Sequence, residues 1–170
     1  MQEIPLDLVE RSAVSAIRQK IKAHEREGCF CPVCEGIVKV YRRKLNSTMA
    51  RQLITTYRLQ YDANGNSRGV EWVDIFTICK DTAVAGGDFA KLVYWGLIEQ
   101  MPHEAGDDGK KTSGMWRITD KGISFVLGHR GVKNAVFLLN GEVVGWDDKP
   151  ATIKTALGEH FDYNELMRAA

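Results

Sequence analysis

The chain has 170 residues, 44% of them apolar and 26% charged, with 23 Lys and Arg against 22 Asp and Glu. These proportions suit one ordinary globular core with a small appendage, and they exclude wholesale disorder, collagen-like repeats and a disulfide-dense scaffold. No apolar run approaches the roughly 18 residues a membrane span needs, and residues 1–10 hold three acids where a signal peptide needs a basic and then an apolar stretch. The expectation is a cytoplasmic protein without membrane contact, whose thiols stay reduced.

The net charge of +1 conceals a pattern. Residues 1–60 carry +5, residues 61–109 carry −6, residues 110–133 carry +5 and residues 134–170 carry −3. Two basic blocks thus alternate with two acidic ones, and only the fold decides whether they meet.

In chain order, Leu6, Val9, Ala13, Ile17 and Ile21 recur at helical spacing, with Pro5 and Asp7 at the first turn and Gly28 as the stop. The next feature is Cys29-Phe-Cys31-Pro-Val-Cys34-Glu-Gly36. Its C-P-x-C-x-G core is the turn used by zinc knuckles: two thiolates two residues apart aim at one ion while Pro and Gly permit the bend. A second C-x-x-C is absent, so the ligand set expected for a structural Zn2+ is His24, Cys29, Cys31 and Cys34. His24 also fits a second role, complementing the dipole at the C-terminal end of its helix. His103 and His129 are reserve ligands, and Cys79 reads as a buried thiol. A redox C-x-x-C normally opens a helix within a βαβ unit, whereas a strand is expected after this one.

That strand is 36–43, rich in β-branched residues, followed by a helix over about 48–61 capped by Asn46 or Ser47. From 39 to 58 every charge is positive: Lys39, Arg42, Arg43, Lys44, Arg51 and Arg58. Such a run is either a solvated face or a phosphate-binding surface, with Tyr41 and Tyr57 interleaved for stacking. Asn64-Gly65 marks a turn, 70–75 a short strand, and a helix runs from about 75 to 83. Gly86-Gly87 breaks it, and Asp88 caps a helix over 89–95 that Gly96 ends. Residues 97–101 and 115–118 read as strands flanking a polar loop, and a short helix follows over 123–127. Asn140-Gly141 between two apolar runs is a hairpin signal. Thr152 and Gly158 bracket a short helix, and Asp162 with Glu165 forms a capping box for a last one, 163–169.

The order helix, strand, helix, helix, strand, loop, strand is that of a winged helix-turn-helix. Y-W-G-L-I-E-Q at 94–100 resembles the end of the recognition helix and first wing strand of bacterial winged-helix regulators. M-W-R-I-T-D-K-G at 115–122 resembles their second wing strand and its capped turn. The chain also resembles uncharacterised phage and prophage proteins that join a cysteine knuckle to such a unit and end in a D-Y-x-E-L-M-like tail, here 162–167.

The resemblance implies an α+β protein in three parts: an N-terminal helix and knuckle over 1–45, a winged helix-turn-helix over 46–130, and a hairpin and helical tail over 131–170. It also implies a DNA-binding transcriptional regulator or accessory factor. The contacts expected are Lys39, Arg42, Arg43, Lys44, Arg51, Arg58, Lys91, and the wing residues Lys110, Lys111 and Arg117. The expected reading helix, 88–95, holds only Asp88 and Lys91 as charges and has no Arg, Asn or Gln for bidentate base contacts, so backbone contact to double-stranded DNA should dominate. The alternative is a non-catalytic interaction module that turns the same scaffold toward a protein partner or a second copy. No phosphate-cradling loop, nucleophile elbow or H-E-x-x-H occurs, and the pairs Asp107-Asp108 and Asp147-Asp148 read as turn residues, so an enzyme is not expected.

Overall fold

The computed structural model describes residues 8–83, 86–102 and 113–168. The protein is a mixture of helices and short antiparallel strands arranged as two compact units. The first comprises Met1–Arg43 with Val136–Trp146, the second Lys44–Ala135 with Asp147–Ala170. The division cuts across the tail expected over 131–170: its hairpin belongs with the N-terminal unit and its helices with the second.

In the first unit, helix α1 (Leu8–His24) ends where Gly28, at φ 96°, returns its N–H to the His24 carbonyl at 2.9 Å. A tight hairpin follows, β1 (Cys29–Phe30) against β2 (Ile37–Val38), in the register Cys29 to Val38 and Phe30 to Ile37. The single strand expected over 36–43 is divided. After Val38 the chain is diverted by the Val40 N–H, which donates to the Glu25 carbonyl at 2.7 Å, and pairing resumes in β3 (Tyr41–Lys44) with a different partner. β3 is an edge strand of a three-stranded sheet, in the order β3, β8, β9. Here β8 (Ala135–Leu139) and β9 (Glu142–Trp146) form the hairpin expected from Asn140-Gly141. Both turn residues have positive φ, 51° and 84°, as a type I′ turn requires.

The second unit is built around α2 (Ser47–Gln60). Asn46 caps it by accepting the Met49 N–H at 2.9 Å, and nine of its fourteen residues are buried. Against it pack α3 (Ile75–Thr82), a 3₁₀ segment (Gly86–Trp95), β6 (Met115–Ile118), α4 (Asp120–Val126), α5 (Ile153–Leu157) and α6 (Tyr163–Arg168). A sheet in the order β4, β6, β5 completes the wall, with β4 (Val73–Asp74) and β5 (Ile98–Gln100) antiparallel to β6. β7 (Val132–Lys133) and β10 (Pro150–Ala151) make a separate short pair. The helix expected over 89–95 is 3₁₀ instead. Its buried residues Phe89, Leu92 and Trp95 recur every three positions, which is the 3₁₀ period, so one row of side chains enters the core without the 100° drift of an α-helix.

Two local constraints hold this unit together. Gly122 lies so close to β5's entry that a Cβ would stand 2.1 Å from the Leu97 carbonyl oxygen, so only glycine lets α4 pack there. Gln60, buried at the end of α2, donates through Nε2 to the carbonyls of Val70 (3.1 Å) and Glu71, and accepts the Ile118 N–H at 2.9 Å through Oε1. One amide thereby satisfies backbone from the approach to β4 and from β6. Among the described residues no helix is long and apolar enough to cross a membrane. Replacing Gln60 by Leu should cost about 2–3 kcal/mol, because the buried Ile118 N–H is left without an acceptor. Urea denaturation of the variant checks this, and a loss below about half a kcal/mol would contradict it.

Candidate functional site

The residues expected to meet DNA fall into two electrostatic classes. Arg51, Arg58, Lys91 and Arg117 are engaged within the second unit. Arg51 donates from Nη2 to the Thr82 carbonyl at 3.1 Å and lies 4.5 Å over the Phe161 ring. The Nη1 of Arg58 stands 3.9 Å from Asp81. Lys91 pairs with Asp88 one 3₁₀ turn away, and Asp88 accepts a further bond from Asn46 at 3.4 Å. Arg117 is the most enclosed by acids: Nε bonds Glu99, Nη1 bonds Glu71 at 2.6 Å, and the guanidinium lies 4.5 Å over Trp72. Its pKa is raised, chiefly by the hydrogen bond to Glu99.

Lys39, Arg42, Arg43 and Lys44 behave differently. All four are exposed, as is every residue of β3. Lys39, Arg43 and Lys44 form no ion pair among the described residues, and Arg43 lies 5.7 Å over the Tyr41 ring. Three consecutive cations on an edge strand, about 3.3 Å apart along the chain, present a concentrated positive field. Lys110 and Lys111 lie outside the described residues, as do His103 and the Asp107-Asp108 pair.

Of the proposed metal ligands, the structure brings Cys31 and Cys34 together. The turn between β1 and β2 is closed by Glu35 N–H to the Cys31 carbonyl and Cys31 N–H to the Gly36 carbonyl, both 2.8 Å, with Glu35 at φ 58°. That bend aims the backbone N–H groups of Cys34 and then Val33 at the Cys31 sulfur, which lowers its pKa. His24 sits in the last turn of α1 and is exposed. Its Nδ1 donates to the Lys20 carbonyl at 2.9 Å, which leaves Nε2 as the nitrogen with a lone pair. Cys29 lies in β1, opposite Val38. Among the described residues no group of three or more His, Cys, Asp or Glu side chains converges, so the four expected ligands are not assembled around one point. Cys79 is half-buried in α3, and burial raises its pKa. Asp147, one of the carboxylates taken as turn residues, accepts the Lys149 N–H at 3.1 Å, and His129 is exposed beyond α4.

The acids that occupy Arg117, Glu71 and Glu99, are not among the residues expected at the site. The signal was present for one of them: Glu99 and Arg117 are direct partners across β5 and β6, where opposite charges attract. Glu71, the other partner of Arg117, lies in the connection before β4 and carries no such signal, and neither does Asp81 on α3, which stands near Arg58. Comparison with known protein families, with curated proteins and with solved structures gives no match.

The two thiol environments predict an order of reactivity. In protein stripped of metal with EDTA, Cys31 should be alkylated by iodoacetamide ahead of Cys79, and its rate should begin to climb at a lower pH, because a lowered pKa leaves more thiolate near neutrality. Peptide mass spectrometry of pulse-labelled protein reads the order, and equal rates from about pH 6 to 9 would contradict it.

Proposed function

We propose that residues 46–130, within the second unit, form a winged-helix domain and that the protein binds double-stranded DNA through its phosphate backbone, as a transcriptional regulator or accessory factor. Support for the domain comes from the order α2, β4, α3, 3₁₀ segment, β5, β6 and from the antiparallel β4, β6, β5 sheet, with the loop between β5 and β6 in the wing position. The observation that carries the DNA reading is the exposed run from Lys39 to Lys44. Its Lys39, Arg43 and Lys44 lack acidic partners among the described residues, while four other basic candidates are engaged internally. The segment in the position of a reading helix turns Phe89, Leu92 and Trp95 inward and leaves Ala90 and Val93 exposed. It has no Arg, Asn or Gln, and its two charged residues, Asp88 and Lys91, pair with each other, so binding discriminates little between sequences.

A rival reading, a protein-binding module, is favoured by Phe76 on α3, 78% exposed, and by the exposed Val93. Fluorescence anisotropy with random duplex separates the two. Simultaneous Lys39→Ala, Arg43→Ala and Lys44→Ala should reduce the slope of log K against log salt by about 2–3, at about 0.9 for each phosphate no longer neutralised. Arg117→Ala should leave the slope nearly unchanged. Absence of duplex binding even at low salt would leave the protein-partner reading standing alone.

Structural zinc is part of the same proposal. The N–H groups that stabilise a thiolate at Cys31 and the adjacent Cys34 fit half of a tetrahedral site, and His24 and Cys29 are the candidates to complete it. When bound, the ion would tie the β1–β2 turn to its neighbours and contribute to folding. Elemental analysis should find about one zinc per chain, lost on Cys31→Ser. Purified protein without metal, all of whose thiols titrate freely under native conditions, would refute this.

A further inference from the structure

The second unit contains a cavity of about 680 Å3 beside the C-terminal half of α2 and the length of α6, within the usual range for small-molecule sites. Leu59, Leu127 and Met167 contribute apolar wall. Tyr57 and Tyr61 also line it, with their rings stacked at 5.3 Å and 12° from parallel. Three arginines line it, Arg58, Arg68 and Arg168, with two aspartates, Asp62 and Asp81.

The carboxylates pair with the arginines only in part: Asp81 is within ion-pair distance of Arg58 but does not hydrogen-bond it. Asp62 is committed to its own loop, accepting the backbone N–H groups of Asn64 (2.9 Å) and Asn66 (2.8 Å) and the Asn66 amide (3.2 Å). Asp81 accepts the Thr55 hydroxyl at 2.9 Å and remains 3.9 Å from Arg58, beyond hydrogen-bond reach. The Arg58 side chain is only 20% exposed, and its Nε–H is buried without an acceptor. Arg68 uses its Nε on the Tyr61 carbonyl, and Arg168 has no ion pair among the described residues. The Arg58 guanidinium is largely withdrawn from water and its Nη1 is ion-paired with Asp81 without being hydrogen-bonded to it, so an anionic oxygen that meets the Nη groups from the cavity gains a charge-assisted bond.

We propose that this cavity binds an aromatic organic anion, its charged group held by Arg58 and Arg168 and its ring against Leu59, Leu127 and Met167. The apolar wall distinguishes such a molecule from an inorganic anion, and the guanidinium groups distinguish it from a neutral ring. The site uses none of the Lys39 to Lys44 run that carries the DNA reading, and it takes Arg58, one of the contacts expected for DNA, into a separate role.

The test uses naphthalene-2-sulfonate as the probe, with sodium sulfate and 2-naphthol at matched ionic strength, against protein carrying 13C-methyl methionine. The Met167 methyl resonance should shift saturably with the sulfonate, while that of Met101, outside the cavity, stays in place. Sulfate and 2-naphthol should each bind at least about tenfold more weakly. Arg58→Gln should weaken the sulfonate by about tenfold or more. The exposed Arg168→Gln carries the same expectation if the Arg58 variant does not fold. An unmoved Met167 methyl at millimolar probe, equal binding of sulfate or 2-naphthol, or unchanged affinity in the folded variants would overturn the proposal.

Discussion

The second unit depends on how Gln60 uses its amide. A primary amide can both donate and accept, and at the buried end of α2 no water supplies those partners. Its Nε2 takes the carbonyls of Val70 and Glu71, and its Oε1 takes the N–H of Ile118. The connection leading to β4 and the last residue of β6 are thereby fixed to one helix turn. A lysine or leucine of similar reach could satisfy only one side of this arrangement or neither.

That fastening has an electrostatic consequence. Glu71 is held beside β6 by the same bonds that fix the backbone, and it meets Arg117 from one side while Glu99 meets it from across the ladder. A residue that a linear reading assigns to the wing's positive surface becomes the centre of a local ion-pair cluster over Trp72. Arg58 and Lys91 likewise face acids, Asp81 and Asp88, while Arg51 is held by the Thr82 carbonyl and the Phe161 ring. What remains outward-facing is the strand from Tyr41 to Lys44 with Lys39 before it, at the edge of its sheet, and among the described residues Lys39, Arg43 and Lys44 form no ion pair. Positive side chains on an edge strand also discourage pairing with another chain, so the run has a structural use beside its proposed functional one.

The cysteine turn and the Arg58 cavity illustrate opposite ways of handling an unmet group. At the turn, backbone N–H groups are aimed at a sulfur and stabilise negative charge with nothing but local geometry. At the cavity, a positive group from α2 is held beside a carboxylate that stops short of hydrogen-bonding it. The first depends on a few consecutive residues. The second requires α2, α3, α6 and the loop after α2 to be in place together.

The same distinction separates what could be read from the residues alone from what required the fold. The Asn46 and Thr152 caps, the Asn140-Gly141 turn and the Cys31 to Gly36 bend were legible, because each is a short-range bond between a side chain and backbone, or between backbone groups, a few positions apart. The α+β character was legible from the same elements. The interruption between β2 and β3 was not, because it turns on a bond from Val40 to Glu25. Nor was the 3₁₀ path of Gly86–Trp95, since Phe89, Leu92 and Trp95 fit either helix until the core selects one row. The hairpin's membership of the N-terminal unit and the internal engagement of four candidate cations were likewise decided by long-range contacts. Sequence by itself determined the caps, turns and basic blocks, whose energetics are local. Tertiary structure decided which charges face water, because charge partners are chosen by distance in space, which sequence spacing does not encode.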